Sequence, residues 1–144
     1  MLGRIGLLGL ALCCPPVLAE DSALSPHWDF VVGRYHLIGR MPDSHQTYTG
    51  VAHIERVGER LRLWRKIGKK TSEVFGEIRR ADPGEAPVMA VAWGGRTAYE
   101  MVCVIGSDLD NYARLTCRWG LAGNPHRLAG MEAYFAQAPW DTTP

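Results

Sequence analysis

Residues 99–119 read YEMVCVIGSDLDNYARLTCRW and mirror one another about Asp110. Cys103 and Cys117 stand equally far from that centre, as do Ile105 and Leu115, and Met101 and Trp119. The middle, Ser107-Asp108-Leu109-Asp110-Asn111, is rich in residues whose side chains bond their own backbone in turns. The arms alternate and carry β-branched and aromatic residues, which predicts an antiparallel hairpin with Cys103 opposite Cys117. Directly opposed residues in such a hairpin have Cα atoms about 4.5–5.5 Å apart. A disulfide accepts about 4.4–6.8 Å, so the mirror pair is expected to be bonded.

The same alternation extends upstream. Residues 30–38 (FVVGRYHLI) give a first strand, 39–46 (GRMPDSHQ) a loop, and 47–57 a second strand. Gly58-Glu59 is short enough for a tight hairpin turn. Residues 60–67 return with Leu61, Leu63, Arg65 and Ile67 on one face and Arg60, Arg62, Trp64 and Lys66 on the other. After Gly68-Lys69-Lys70 comes a strand at 72–80. The turn 81–87 (ADPGEAP) follows, then a short strand at 88–93 and a turn at Gly94-Gly95-Arg96. Beyond the hairpin lie a Gly/Asn/Pro loop at 120–125 and an eighth strand at 128–135; only 131–138 shows even a weak helical period. Eight short strands joined by tight turns predict an all-β fold, a single antiparallel up-and-down meander closing into a barrel. Closure removes the exposed edges that favour aggregation.

The first nineteen residues, MLGRIGLLGLALCCPPVLA, have a different composition. Arg4 supplies charge, an apolar run follows, Pro15-Pro16 break it, and Val17-Leu18-Ala19 offer a cleavage site before Glu20-Asp21. These are the three parts of a secretory signal peptide in order, and the apolar run is shorter than the roughly 20 residues a membrane span needs. The expected division of the 144-residue chain is a signal peptide (1–19), a polar approach segment (20–29), a barrel domain (30–136) and a tail (137–144). The expected location is extracytoplasmic, periplasmic or secreted. Cleavage removes Cys13 and Cys14 and leaves the mirror pair in an oxidising compartment, where such pairs bond. It also removes Arg4, so basic and acidic side chains become equal in number, which gives no footprint for nucleic acid.

Several motifs then carry a resemblance. Tyr35-x3-Gly39 is followed in order by Tyr48-x-Gly50 with Ile54 and Gly58, then Leu63-Trp64 with Ile67-Gly68, then Gly76, then Val91-x-Trp93. The chain resembles a family of small exported bacterial β proteins with the consensus Tyr…Gly-x-Asn-Pro…Tyr-x-Gly…Trp-x-Ile-Gly…Gly…Trp. Arg118-Trp119 and Gly130-x-Glu132 are similar to its closing segment, while Met41-Pro42 stands where the family has Asn-Pro. The resemblance implies a calycin-like barrel of lipocalin or avidin type and no established activity.

Signals for chemistry are sparse. His27, His36, His45, His53 and His126 are scattered without metal-ligand spacing, although His36 and His53 could meet on adjacent strands. Asp108-x-Asp110-Asn111 lacks the remainder of a calcium loop. Ser107 follows Gly106 without a nucleophile elbow. Glu73 and Glu77 share a strand face with no sign of separated acidities. No metal, cofactor or catalytic residue is therefore expected.

The aromatic set Trp64, Trp93, Tyr99, Trp119, Tyr35 and Tyr48 is the candidate ligand site. The expected function is that of a non-enzymatic barrel binding a small apolar ligand or serving as an accessory protein. The alternative is a protein-binding module, such as a periplasmic inhibitor of a cell-wall hydrolase, acting through loops 39–46 and 106–111. An enzyme would instead show a polar cluster in the barrel mouth, with His36 or His53 as candidate members.

Overall fold

The computed structural model describes residues 19–81, 85–123 and 128–138. Residues 1–18 of the leader, residues 82–84 of the ADPGEAP turn, residues 124–127 with His126, and residues 139–144 of the tail lie outside the described residues. The strands are β1 (Gly33–Arg40), β2 (Thr47–Val57), β3 (Arg60–Ile67), β4 (Lys70–Arg80), β5 (Pro87–Trp93), β6 (Tyr99–Ser107), β7 (Ala113–Leu121) and β8 (Gly130–Ala136). Each pairs antiparallel with the next, and β8 returns to β1, closing the barrel. The structure is therefore an all-β, eight-stranded up-and-down barrel, consistent with a calycin-like fold.

The turns follow local chemistry. β2–β3 and β3–β4 are joined by Gly58-Glu59 and Gly68-Lys69, each with glycine first and at positive φ (62° and 59°). That suits the two-residue hairpin turns that match strand twist. Every opposition expected in the mirror hairpin is present: Met101↔Trp119, Cys103↔Cys117 and Ile105↔Leu115. The cysteines are bonded, with Cα atoms 3.9 Å apart, and both lie wholly inside the barrel.

Several boundaries differ from the sequence reading: β4 starts two residues earlier, at Lys70, β8 runs Gly130–Ala136, and two differences matter more. β1 starts at Gly33 and runs through Arg40, which shortens the first loop to 41–46. Residues 19–30 form a helix, α1 (Ala19–Phe30), which continues to a bond from Val31 N to His27 O. Its own pattern is poor, and Pro26 removes a backbone donor inside it. Leu24, Trp28 and Val31, spaced by four and three residues, pack against the barrel core. Burial holds this helix, since its periodicity is weak. Arg56 at the end of β2 fastens it, with its guanidinium 5.3 Å from the Trp28 ring centre and an ion pair to Asp29 at 3.4 Å.

The barrel thus has two unlike ends. At one, α1 lies at the end where β2 passes to β3, β4 to β5 and β6 to β7. At the other, the mouth, lie loop 41–46, the 68–69 turn, the 94–98 connection, and the end of β7 with the start of β8. Inward-facing Tyr35, Leu37, Ile54, Leu63, Met101 and Leu115 fill the interior. Loops 41–46 and 108–112 sit at opposite ends, so they do not form one continuous surface.

Candidate functional site at the barrel mouth

Alternation on β3 turns Leu61, Leu63 and Arg65 inward, and Arg65 is the only charged member of that inward set. On β8 the inward residues are Glu132 and Tyr134. Closure brings the two strands' side chains together inside the barrel. Arg65 Nη1 donates to Glu132 Oε1 at 2.9 Å and to Oε2 at 3.0 Å. Tyr48 Oη donates to Oε1 at 2.6 Å, and Tyr134 Oη donates to Oε2. Each carboxylate oxygen thus accepts from one guanidinium N–H and one phenol, which satisfies a charge that is only 2% exposed. The guanidinium also lies 5.4 Å from the centre of the Trp93 ring.

Register explains the assembly. Met89, Cys103, Cys117, Glu132, Gly39 and Tyr48 are successive cross-strand partners from β5 round through β8 and β1 to β2. Gly39 lies between Glu132 and Tyr48, and a Cβ there would overlap the Tyr48 ring. The missing side chain lets the ring cross β1 to its acceptor. Trp119 uses the same device against its partner Gly130, where a Cβ would stand 2.5 Å from indole atoms.

These contacts set the electrostatics. Burial raises the Tyr134 phenol well above its ordinary range, and the Glu132 charge raises it further. Burial is also the main cause for Tyr48, followed by the charge and hydrogen bond of Glu132. The Trp119 indole acts in the opposite sense on Tyr48, as a donor facing the phenol oxygen. That contact falls short of hydrogen-bond geometry. Burial weakens the Arg65 charge, but Glu132 and Tyr134 more than offset this, so the guanidinium is held more firmly protonated.

Above the cluster opens a cavity of about 450 Å³, lined by Met41, Gln46, Thr47, Tyr48, Arg65, Ile67, Lys70, Thr71, Ser72, Trp119 and Glu132. A larger depression of about 960 Å³ lies on the outer side, bordered by Met41, Pro42, Tyr99, Arg118, Trp119 and Leu128, among others. Its charged groups Asp43, Glu100 and Arg118 are exposed. The enclosed polar set belongs to the smaller cavity, and we take that one as the site. The loop beside it is tied down. Asp43 and Leu128 exchange bonds, from Asp43 N to Leu128 O at 2.9 Å and from Leu128 N to Asp43 Oδ1 at 3.2 Å.

The six aromatic candidates separate. Tyr48 and Trp119 line the cavity. Trp93 and Tyr99 stack on each other at 5.7 Å and flank Trp119 at 5.8 and 6.2 Å. Tyr35 is buried deeper, donating to Val31 O and meeting Tyr134 edge-on at 6.1 Å. Trp64 lies on the outer face, registered between His53 and Glu73.

The mouth does hold a polar cluster, but neither histidine is in it. His36 faces outward beside Gln137 at 2.9 Å, and His53 pairs with Glu55 at 3.2 Å. Among the described residues, no group of three or more His, Cys, Asp or Glu is placed to hold a metal. No described helix is long and apolar enough to cross a membrane. The basic strip of β3 is divided by the strand itself: Arg60 stacks over Phe75 at 4.7 Å, Arg62 pairs with Glu55, and Arg65 turns inside. The sequence reading missed Arg65, Glu132 and Tyr134 as a unit. Its one available signal was a lone arginine on the Leu61–Leu63 face.

No protein-family model and no curated protein matches the chain.

Proposed function

We propose that this is an exported, calycin-like binding protein without catalytic activity, which carries one small ligand in the barrel mouth. The observation that carries this reading is the cavity of about 450 Å³, walled by the Trp119 and Tyr48 rings and floored by the Glu132 carboxylate with its Arg65 and Tyr48 partners. Its size falls within the roughly 300–1,000 Å³ usual for small-molecule sites. The cluster favours carriage over catalysis, because Glu132, the one carboxylate among the described residues lining the cavity, is engaged by three side chains. The leader and the internal disulfide support an oxidising, extracytoplasmic location. With the deeper interior filled, the ligand is smaller and more polar at one end than the wholly apolar cargo of a hollow barrel.

A second reading is favoured by Leu109, which is fully exposed at the tip of the β6–β7 turn. Asp108 Oδ1 braces that turn, accepting from the backbone N–H groups of Asp110 and Tyr112 at 3.0 and 2.8 Å. A rigid apolar tip suits a protein-binding module such as an inhibitor of a cell-wall hydrolase.

Native mass spectrometry of protein purified from the export compartment tests the first reading. Extra mass that leaves on gentle activation is the expected result. Bare mass, together with loss of partner capture on Leu109→Ser, would move the assignment to the second.

A further inference from the structure

We infer that the ligand of the mouth is an uncharged, flat molecule that presents a hydrogen-bond acceptor to Arg65 and Trp119. This rests on the binding reading above and specifies its chemistry. Among the described residues, Arg65 Nε and Trp119 Nε1 are buried donors without a hydrogen-bond partner, and both side chains line the mouth cavity. Arg65 is 7% exposed. A buried N–H left unpaired is costly, so an arriving carbonyl or ether oxygen gains more here than at a solvated donor. The cavity's remaining deep polar group, Glu132, has both oxygens already engaged by Arg65, Tyr48 and Tyr134. The site's unused hydrogen-bonding capacity at depth is therefore made of donors.

Charge argues the rest. Arg65 and Glu132 neutralise each other, so an anion reaching the donors would lie beside the Glu132 carboxylate and compete with it for Arg65. A cation would find the deep carboxylate, Glu132, already engaged at both oxygens. Lys70 lines the cavity but is exposed, so its charge is solvated at the rim. Rings of Trp119 and Tyr48 on the wall suit a flat partner.

The test is isothermal titration of the exported chain with four matched probes. They are N,N-dimethyl-2-naphthamide (neutral acceptor), naphthalene (no acceptor), 2-naphthoate (anion) and 2-naphthylmethylammonium (cation). The amide is expected to bind about tenfold tighter than the other three. Trp119→Phe, which keeps a ring and removes one donor, is expected to lower the amide-to-naphthalene affinity ratio about five- to tenfold. An unaltered urea midpoint will show that this variant is folded; if it is not, Arg65→Lys is compared by the same amide-to-naphthalene ratio. Tightest binding by 2-naphthoate or by the ammonium, or an amide-to-naphthalene ratio near one, overturns this inference while leaving a binding protein. Failure of all four probes, with bare mass in the native spectrum, overturns the binding reading as well.

Discussion

Tyr48 and Glu132 bond across a strand that belongs to neither of them. Tyr48 is on β2 and Glu132 on β8, both register on Gly39 of β1, and the 2.6 Å bond passes over that glycine. A side chain at 39 is therefore incompatible with the bond. Gly39→Ala is expected to displace the ring and cost about 1–3 kcal/mol, as overpacking does. In a Tyr48→Ala background there is no ring to strike, so the same substitution should cost much less. Urea unfolding of the four proteins in this cycle measures the difference, and equal costs in both backgrounds would remove Gly39 from the account.

The Arg65–Glu132 pair gives a sharper contrast. Removing one partner of a buried ion pair leaves an uncompensated charge and typically costs about 3–5 kcal/mol. Arg65→Met strands the carboxylate, and Glu132→Gln strands the guanidinium. The double change R65M/E132Q removes both charges and keeps an amide for the Tyr48 and Tyr134 hydroxyls. It should be more stable than either single variant. Denaturant midpoints at constant slope decide this, and a double variant no better than the worse single would argue that the pair is not acting as a unit.

How far this was legible in the sequence depends on how local each feature is. The 99–119 hairpin could be read because alternation, turn residues and two cysteines lie within a single supersecondary unit, and its register came out as expected. The barrel followed from repeated short strands. Closure could be inferred as a type, but the partners it creates could not. Glu132 is 67 residues from Arg65 and 84 from Tyr48, and only the β8–β1 pairing makes them neighbours. Alternation alone placed Arg65 inward and Trp64 outward, yet residue type drew attention to the tryptophan. α1 escaped for a different reason: Leu24 and Trp28 are helical because they have a barrel end to cover.

The disulfide makes its own prediction. It closes a loop with a sequence separation of 14, for which constraint of the unfolded chain is worth about 3 kcal/mol. C103A/C117A should lose about 2–5 kcal/mol, within the range for native disulfides, and keep the β-sheet circular dichroism. The bonded row continues from Cys117 to Glu132, so small changes in Trp119 fluorescence are expected alongside. An unchanged urea midpoint would show that β-pairing alone sets this register.

Alkaline pH should unfold the protein in a characteristic way. Burial raises Tyr35, and burial with the Glu132 charge raises Tyr48 and Tyr134, above their ordinary values. The unfolded chain loses these protons near pH 10, while the native state holds them, so above that pH the native state binds more protons. Stability is then fully present below about pH 10 and falls as pH rises toward the folded-state values. The slope approaches about 1.4 kcal/mol per pH unit for each of Tyr35 and Tyr134, with a smaller share from half-buried Tyr48. Absorbance at the tyrosinate band should therefore rise in a late step coincident with loss of the sheet signal, and Tyr134→Phe should make the stability profile shallower above pH 10. A late step that precedes loss of the sheet would mean the phenols ionise in place, and the cluster around Glu132 would then have to be open to solvent.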